Sequence, residues 1–468
     1  MAPSIRLTAA WVAVAMGGTI VKAGETSEFS GVSIDTRTLR PGQLYFGIRG
    51  SRFDGADFSG TAMEAGAAGV VVPRGRGAAL TDGKAAVLEV DDTTTALQAL
   101  AHATRRASGA KVVAITGSAG KTTTKEVTSE FLGTAYRVIR NRGNLNNHIG
   151  LPLSLMELTA RPDVAVVELG MNHAGEISTL VRIAEPDVRV WTNVGEAHLG
   201  FFASVDAIAD AKAEILEGAT AGSLLVANAD DERVESRARR FAGTVTTFGI
   251  DRAADVRADQ VVDRGIDGTS ARVATPKGSV DFTTPLIGRG NLANILAATA
   301  VGLHFDVPLA AMAARAASLK PAQHRGDVVR LARGVIVVDD SYNANPTATR
   351  RAMEVLRNTR TTGRRVAVIG EMLELGEHAA ALHQDVGRAA VATGLDELVT
   401  VGGGPARAMA DAAIAAGMSR THVRYFATSD EAADAFDGYV RAGDLVLVKG
   451  SRGIRTDLVV DRLKAEFA

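Results

Sequence analysis

One stretch constrains this chain more than any other. An apolar, β-branched run, Lys111-Val112-Val113-Ala114-Ile115, passes directly into Thr116-Gly117-Ser118-Ala119-Gly120-Lys121-Thr122-Thr123 and then into a helical segment. Strand, glycine turn and helix start in that order have a physical purpose. The glycines let the backbone curl until several N–H groups face one phosphate group, and the helix N-terminus adds its partial positive charge. Lys121 then reaches the β- and γ-phosphates, and the Thr122 hydroxyl ligates Mg²⁺. Gly117, Ser118, Ala119, Gly120, Lys121, Thr122 and Thr123 are therefore candidate nucleotide-binding residues. The spacing departs from the commoner G-x-x-x-x-G-K-[ST], because position 115 is Ile.

The rest of the chain repeats the strand–helix alternation of a doubly wound, mostly parallel sheet. Strands are expected at Val164 to Val167, Val188 to Trp191 and Leu224 to Ala227. Period-two alternation from Thr244 to Thr284 predicts a small antiparallel sheet, and Leu292 to Phe305 a helix. A further α/β unit has strands at Val335 to Val338, Val366 to Ile369, Leu398 to Val401 and Leu445 to Val448. Ahead of the glycine loop, strands are expected at Leu44 to Ile48 and Val70 to Val72. Helices are expected at Ala62 to Gly69 and Thr93 to Ala107, with Ser108-Gly109 as a linker. The fold class is thus α/β in three units: a mixed unit at 1–109, a central phosphate-loop unit at 110–326, and a Rossmann-like unit at 327–468.

Composition narrows the partners. The formal net charge is −1, which argues against nucleic acid and anionic membrane surfaces, both of which ask for a basic excess. There are no cysteines, so disulfides and thiolate metal sites are excluded. Ala9 to Val21 is apolar but short and broken by Gly17 and Gly18, which predicts an amphipathic helix and turn rather than a span. A cytoplasmic protein without membrane insertion is expected.

Three residues outside the loop carry chemistry. The run Val164-Ala165-Val166-Val167 ends in Glu168, and a carboxylate at a strand end beside a phosphate loop suits Mg²⁺. His198 lies just beyond another strand, in Thr192-Asn193-Val194-Gly195-Glu196-Ala197-His198. It is either a packing residue or part of a site. Lys212 sits in a helix between Asp210 and Glu214, and taken alone this pattern reads as a solvated face.

Taken together, the glycine loop, Asn144-Leu145-Asn146-Asn147-His148-Ile149-Gly150, Glu168-Leu169-Gly170-Met171, the His198 loop and Lys212 resemble the ATP-dependent Mur ligases of peptidoglycan synthesis. The third unit narrows the resemblance to ligases that add a dipeptide. Its carriers are Asp339-Asp340-Ser341-Tyr342-Asn343-Ala344-Asn345-Pro346, Gly370-Glu371-Met372-Leu373-Glu374-Leu375-Gly376 and Lys449-Gly450-Ser451-Arg452. In the first unit, Ser33-Ile34-Asp35-Thr36-Arg37 and Pro41-Gly42-Gln43-Leu44-Tyr45-Phe46 resemble the family's uridine-nucleotide domain, with Thr36 where Ser is often found.

The resemblance implies a reaction and a set of roles. ATP phosphorylates the terminal carboxylate of UDP-N-acetylmuramoyl-tripeptide, and the amine of D-alanyl-D-alanine displaces phosphate from the acyl phosphate. Lys121, His198, Lys212 and Arg325 are the implied catalytic residues. Thr122, Glu168, His198 and Lys212 are the implied ligands of two Mg²⁺ ions, with Lys212 carried as a carbamate that turns a cation into an anion. Asn291, Asn294, Arg325 and Asp340 join the loop in holding ATP. Asn291 alone would read as a helix cap, and Asp340 as a turn residue. Asp35, Thr36 and Arg37 are implied for the uridine diphosphate. Asn144, Asn146 and Asn147 form a polar cluster facing the same substrate. Asn343 and Asn345 either bind the dipeptide or shape their loop, and Pro346 suits a first helical turn. A monomer is expected.

Rival readings are the preceding, diamino-acid-adding ligase of the same family, folylpolyglutamate synthase, and a phosphate-loop switch or motor. The first unit argues against the second of these, and the Asn343 to Pro346 segment against the first.

Overall fold

The apolar runs read from the sequence do form strands, and they assemble into sheets of five, nine and six strands in chain order. The computed structural model describes residues 4–436 and 438–468. Residues 1–3, at the head of the expected first unit, and Asp437 in the third lie outside the described residues.

In the first unit the helix Ala9–Met16 ends on Gly17, whose φ of 65° is the left-handed conformation that glycine adopts without strain. The helix is therefore shorter than expected, and Thr19–Lys22 is already an edge strand. Val12 and Met16 are buried while Val14 is 83% exposed. The five-stranded sheet runs Thr19–Lys22, Ala86–Val90, Gly69–Pro73, Leu44–Phe46, Val32–Ser33, parallel except at the first pair. The expected helix at Ala62 to Gly69 begins earlier, at Ser59, and stops at Glu64. Gly69 belongs to the next strand, paired with Leu44 and Ala86, and only glycine fits there, since a Cβ would lie 2.7 Å from the Phe29 ring.

The helix Thr93–Ser108 joins the first unit to the second. Asp92 caps it by accepting from the Thr95 N–H at 2.7 Å, and Gly109 closes it at φ 72°. Leu97, Leu100, Ala101 and Thr104 line one buried face at helical spacing. Each of the two leucines contributes about 1.5–3 kcal/mol by leaving water. Arg105 crosses to the central unit, donating to Ala184 O, Glu185 O and Asp187 Oδ2 at 2.8–2.9 Å. Ser108-Gly109 is a tight cap rather than a loose linker, since Ser108 Oγ also accepts from Ala110 N–H.

The central sheet runs from Val138–Arg140 through Val164–Glu168, Lys111–Thr116, Val188–Trp191, Leu224–Asn228 and Thr244–Gly249 to Val256–Asp263, all parallel. The antiparallel strands Thr269–Thr275 and Gly278–Thr284 extend it at one edge. The alternation from Thr244 to Thr284 thus marks the edge of this sheet and not a free-standing one. Val112 to Ile115 have no exposed surface, because helices cover both faces. Gly288–His304 packs on the helix Lys121–Leu132 and begins a turn earlier than expected, so Asn291 lies inside it and not at its cap.

The third sheet runs Asp327–Arg330, Ile336–Asp340, Leu445–Lys449, Arg365–Gly370, Glu397–Val401, Val423–Phe426, antiparallel only at the first pair. Its two edge strands were not expected; both are half-exposed and carry charged residues. Among the described residues no helix is long and apolar enough to cross a membrane.

Candidate phosphate and metal site

Three adjacent parallel strands, Val164–Glu168, Lys111–Thr116 and Val188–Trp191, end at one edge of the central sheet, so the loops after them meet. The middle loop is the glycine loop. Gly117 has φ 151°, and a Cβ on it would lie 1.9 Å from Thr192 Oγ1. Gly120 has φ 84°, and a Cβ there would lie 2.4 Å from Asn294 Oδ1. The third loop clamps the second. Ala119 N–H donates to Asn193 Oδ1 at 2.9 Å. Its carbonyl accepts from Thr192 Oγ1 at 2.7 Å and Asn193 Nδ2 at 3.0 Å. Ser118 Oγ donates to Gly195 O and accepts from Gly195 N–H.

The clamp leaves the helix start free. The first helical bond is Thr124 N–H to Gly120 O, and no side chain caps the helix. The N–H groups of Lys121, Thr122 and Thr123 have no partner among the described residues. Orphan donors at the positive end of a helix form an anion site. Gly120→Ala is therefore expected to weaken ATP binding about tenfold, since relieving the roughly 1–2 kcal/mol that left-handed backbone costs an L-residue turns the N–H groups away from the anion. Calorimetric titration with a nonhydrolysable ATP analogue checks this.

Around the cradle the polar side chains are tightly engaged. Lys121 folds back to donate to Gly117 O at 2.7 Å. Burial pulls its pKa below 10.5; Glu168 opposes that shift and Arg325 adds to it, which places both within electrostatic reach of the ammonium. Arg325 itself stacks on Tyr342, 4.1 Å from the ring centre. Thr122 Oγ1 donates to Glu168 Oε2 at 2.7 Å, and Asn146 Nδ2 donates to Glu168 Oε1 at 2.6 Å. The Glu168 N–H is held by Asn141 Oδ1. A hydroxyl and a carboxylate in contact are hard oxygen donors suited to Mg²⁺, an ion that takes few protein ligands beside phosphate.

The other two expected metal ligands do not bond to this pair. His198, at φ 65°, turns to Glu374 Oε2, 2.6 Å from its Nδ1. Among the described residues no group of three or more His, Asp or Glu gathers as a metal site. Lys212 overturns the solvated-face reading: it is 1% exposed. Its flanking acids point elsewhere, Asp210 to Arg237 and Glu214 to the N–H groups of Gly175 and Ser178. The Lys212 side chain makes no hydrogen bond or ion pair among the described residues. Burial first, then the charge of Lys121, holds its pKa well below 10.5.

The asparagines divide into two sorts. Asn294 is buried, accepts from Thr124 Oγ1 at 3.2 Å and abuts Gly120, so it shapes the cradle wall. Asn291 donates to Ile287 O at 2.9 Å and accepts from Asn294. Asn345 caps the helix Pro346–Asn358, accepting from Ala348 N–H at 2.8 Å, and Asn147 accepts from the N–H groups of Ile149 and Gly150, at 3.2 and 2.8 Å, just ahead of the helix Gly150–Leu155. Asn343 accepts from its neighbour Ala344 N–H, and Asn144 is exposed.

In the third unit Asp340 is paired with buried Lys449 at 2.7 Å, and Lys449 also donates to Asn343 O. In the first unit Asp35 and Arg37 hold each other at 2.6 Å, a bond that drops the Asp35 pKa from 3.8 to about 2. Thr36 adjoins this pair with no side-chain bond of its own among the described residues. The sequence reading passed over Asn141, Thr192, Asn193, Glu374 and Lys449 as individual residues. All but Asn141 stood in quoted segments, and a polar residue at or just past the end of a parallel strand was the available signal for Asn141, Thr192, Asn193 and Lys449.

Comparison with known proteins bears on all three units. Residues 28–105 match the family model described as Mur ligase family, catalytic domain. Residues 115–302 match the Mur ligase middle domain, and residues 324–452 the Mur ligase, glutamate ligase domain. The chain is 34% identical over 443 residues to the UDP-N-acetylmuramoyl-tripeptide–D-alanyl-D-alanine ligase of Bacillus subtilis, 94% of each chain. A crystal structure of MurF from Acinetobacter baumannii superposes with a TM-score of 0.89 at 30% identity, covering 99% of this chain and 100% of that one. The MurF ligase of Thermotoga maritima in complex with ADP has a TM-score of 0.81 at 29% identity, covering 93% and 97%.

Proposed function

The chain belongs to the Mur ligase family, and from that premise we propose that it joins D-alanyl-D-alanine to UDP-N-acetylmuramoyl-tripeptide at the expense of ATP. One observation carries the reading: the likeness to a ligase of that specificity spans 94% of the chain. The architecture is the three-domain one of MurF. We assign 1–109 to the uridine nucleotide, 110–326 to ATP and 327–468 to the dipeptide and closure over ATP.

ATP gives its γ-phosphoryl group to the tripeptide carboxylate, and the dipeptide amine then attacks the acyl phosphate and expels phosphate. Such transfer needs positioning and charge neutralisation more than covalent help from the protein. The free N–H groups at Lys121 to Thr123 would hold a phosphate, and Lys121 would exchange Gly117 O for a phosphate oxygen. Arg325, close to Lys121, would meet the same charge. Asn291 and Asn294 would support the adenine side and Asp340 the ribose. Mg²⁺ on Thr122 and Glu168 would neutralise the transferring charge.

Lys212 suits a carbamate. An amine buried without a side-chain partner among the described residues, its pKa held well below 10.5 by burial and by the charge of Lys121, gives up its proton and turns nucleophilic more readily than a solvated lysine. Its addition to carbon dioxide forms an N–C bond, releases a proton and leaves an anion able to take a second Mg²⁺. His198 would complete that side only by leaving Glu374. Asp35, Thr36 and Arg37 would take the uridine diphosphate, and Asn144, Asn146 and Asn147 the sugar–peptide end. Asn343 and Asn345 would shape the dipeptide pocket. We place the enzyme in the cytoplasm as a monomer, without nucleic-acid or membrane partners.

A screen crossing uridine-nucleotide peptides with amino acids and dipeptides tests the reading. Phosphate release should require both the nucleotide-tripeptide and D-alanyl-D-alanine. Release with a free diamino acid and a nucleotide-dipeptide would assign the chain to the preceding ligase, and release indifferent to both partners would make it a phosphate-loop switch.

A further inference from the structure

One segment touches both the phosphate loop and the third unit. At its start, Thr192, Asn193 and Gly195 hold Ala119 and Ser118. A few residues on, Glu196 accepts from Thr347 Oγ1 at 2.6 Å and pairs with Arg350 at 3.3 Å. Gly200 N–H then donates to Glu374 O at 2.7 Å. Thr347 and Arg350 lie in the first turns of the helix Pro346–Asn358, which follows the Asn343–Asn345 loop. Gly195 sits between the two bodies: a Cβ on it would lie 3.5 Å from Thr347 Oγ1 and 3.8 Å from Ser118 Cβ.

We propose that Glu196 is a positioning residue for the ligation, through which segment 192–201 ties the state of the phosphate loop to the seating of the Pro346–Asn358 helix. The two attachments sit on adjacent residues, Gly195 on Ser118 and Glu196 on Thr347 and Arg350. Filling the cradle shifts Ala119 and Ser118, and the shift passes to Glu196 and so to the loop ahead of the helix. Glu196 is equipped to hold this bond. Burial alone would raise its pKa, but Thr347, its own backbone and Arg350 outweigh that and keep the carboxylate charged. The inference rests on the ligase reading for the step it affects.

Glu196→Ala should lower kcat about tenfold, the equivalent of ~1.4 kcal/mol of positioning, with KM for the nucleotide-tripeptide within about twofold of wild type. Glu196→Gln should keep most of the rate, because Thr347 still finds an acceptor. Solution scattering gives a readout independent of chemistry. On adding a nonhydrolysable ATP analogue with Mg²⁺, the wild-type radius of gyration should fall and that of Glu196→Ala should not. Unchanged kcat and compaction in Glu196→Ala would overturn the proposal. So would equal losses in the alanine and glutamine variants, or a loss of nucleotide-tripeptide binding and thermal stability in step with kcat. Failure of the ligase reading would show instead as wild-type enzyme inert toward both substrates, leaving the scattering comparison intact.

Discussion

Lys121→Ala is expected to lower kcat by at least about 10³-fold, the scale carried by a cation or donor aimed at transition-state charge in a dry site. The reason lies in what the ammonium does in the free protein. It is half-buried against its own loop, bonded to Gly117 O, and its pKa is depressed by that burial. Folding gains little from such a group, because desolvating a cation costs more than one hydrogen bond returns. Removing it should leave the thermal midpoint unchanged or raised while phosphate release disappears. A fall in stability parallel to activity would instead make Lys121 a structural residue. Phosphate release in the presence of both substrates, beside a thermal melt, separates the two outcomes.

The second large effect is expected at Lys212. Lys212→Ala should lose activity by at least about 10²-fold, the typical toll of removing one charged participant from a site. Small carboxylates such as acetate or formate should restore part of it, by occupying the space where the carbamate would stand. Full activity without added carboxylate would refute the carbamate. Labelling with ¹³C-bicarbonate should give a carbamate signal in wild type that is absent in the variant. Stability offers a further check in buffer stripped of carbon dioxide. The folded pKa is depressed, so between that value and 10.5 the unfolded chain holds more protons and stability rises with pH. Lys212→Ala should flatten that rise.

The glycine loop was readable in the sequence because every part of its signal is local: strand, two glycines, lysine and threonine within one turn of chain. The strand ends carrying Glu168 and Asp340 were readable for the same reason. Partnerships across long separations were not. Nothing near Asn193 announces that its amide grips both polar groups of Ala119, and nothing near His198 points to Glu374. Lys212 misleads in the same way. Its flanking acids suggest solvent, yet Arg237 and two N–H groups draw both acids away and leave the lysine buried. The half-exposed strands Asp327–Arg330 and Val423–Phe426 lack an apolar run because a sheet edge has only one neighbour to satisfy.

The helix Thr93–Ser108 has a consequence for substrate choice. Its sixteen residues span ~24 Å, and Arg105 with the Gly109 cap fastens its far end to the central sheet. First and second units therefore stand at a set separation. For a ligase that grips a nucleotide at one end and phosphorylates a carboxylate at the other, that separation is a gauge. On the proposed assignment of the units, a precursor one amino acid short would bind by its uridine end and leave its carboxylate shy of the γ-phosphate. Such an enzyme would measure the length of the peptide it extends before it meets the dipeptide it adds.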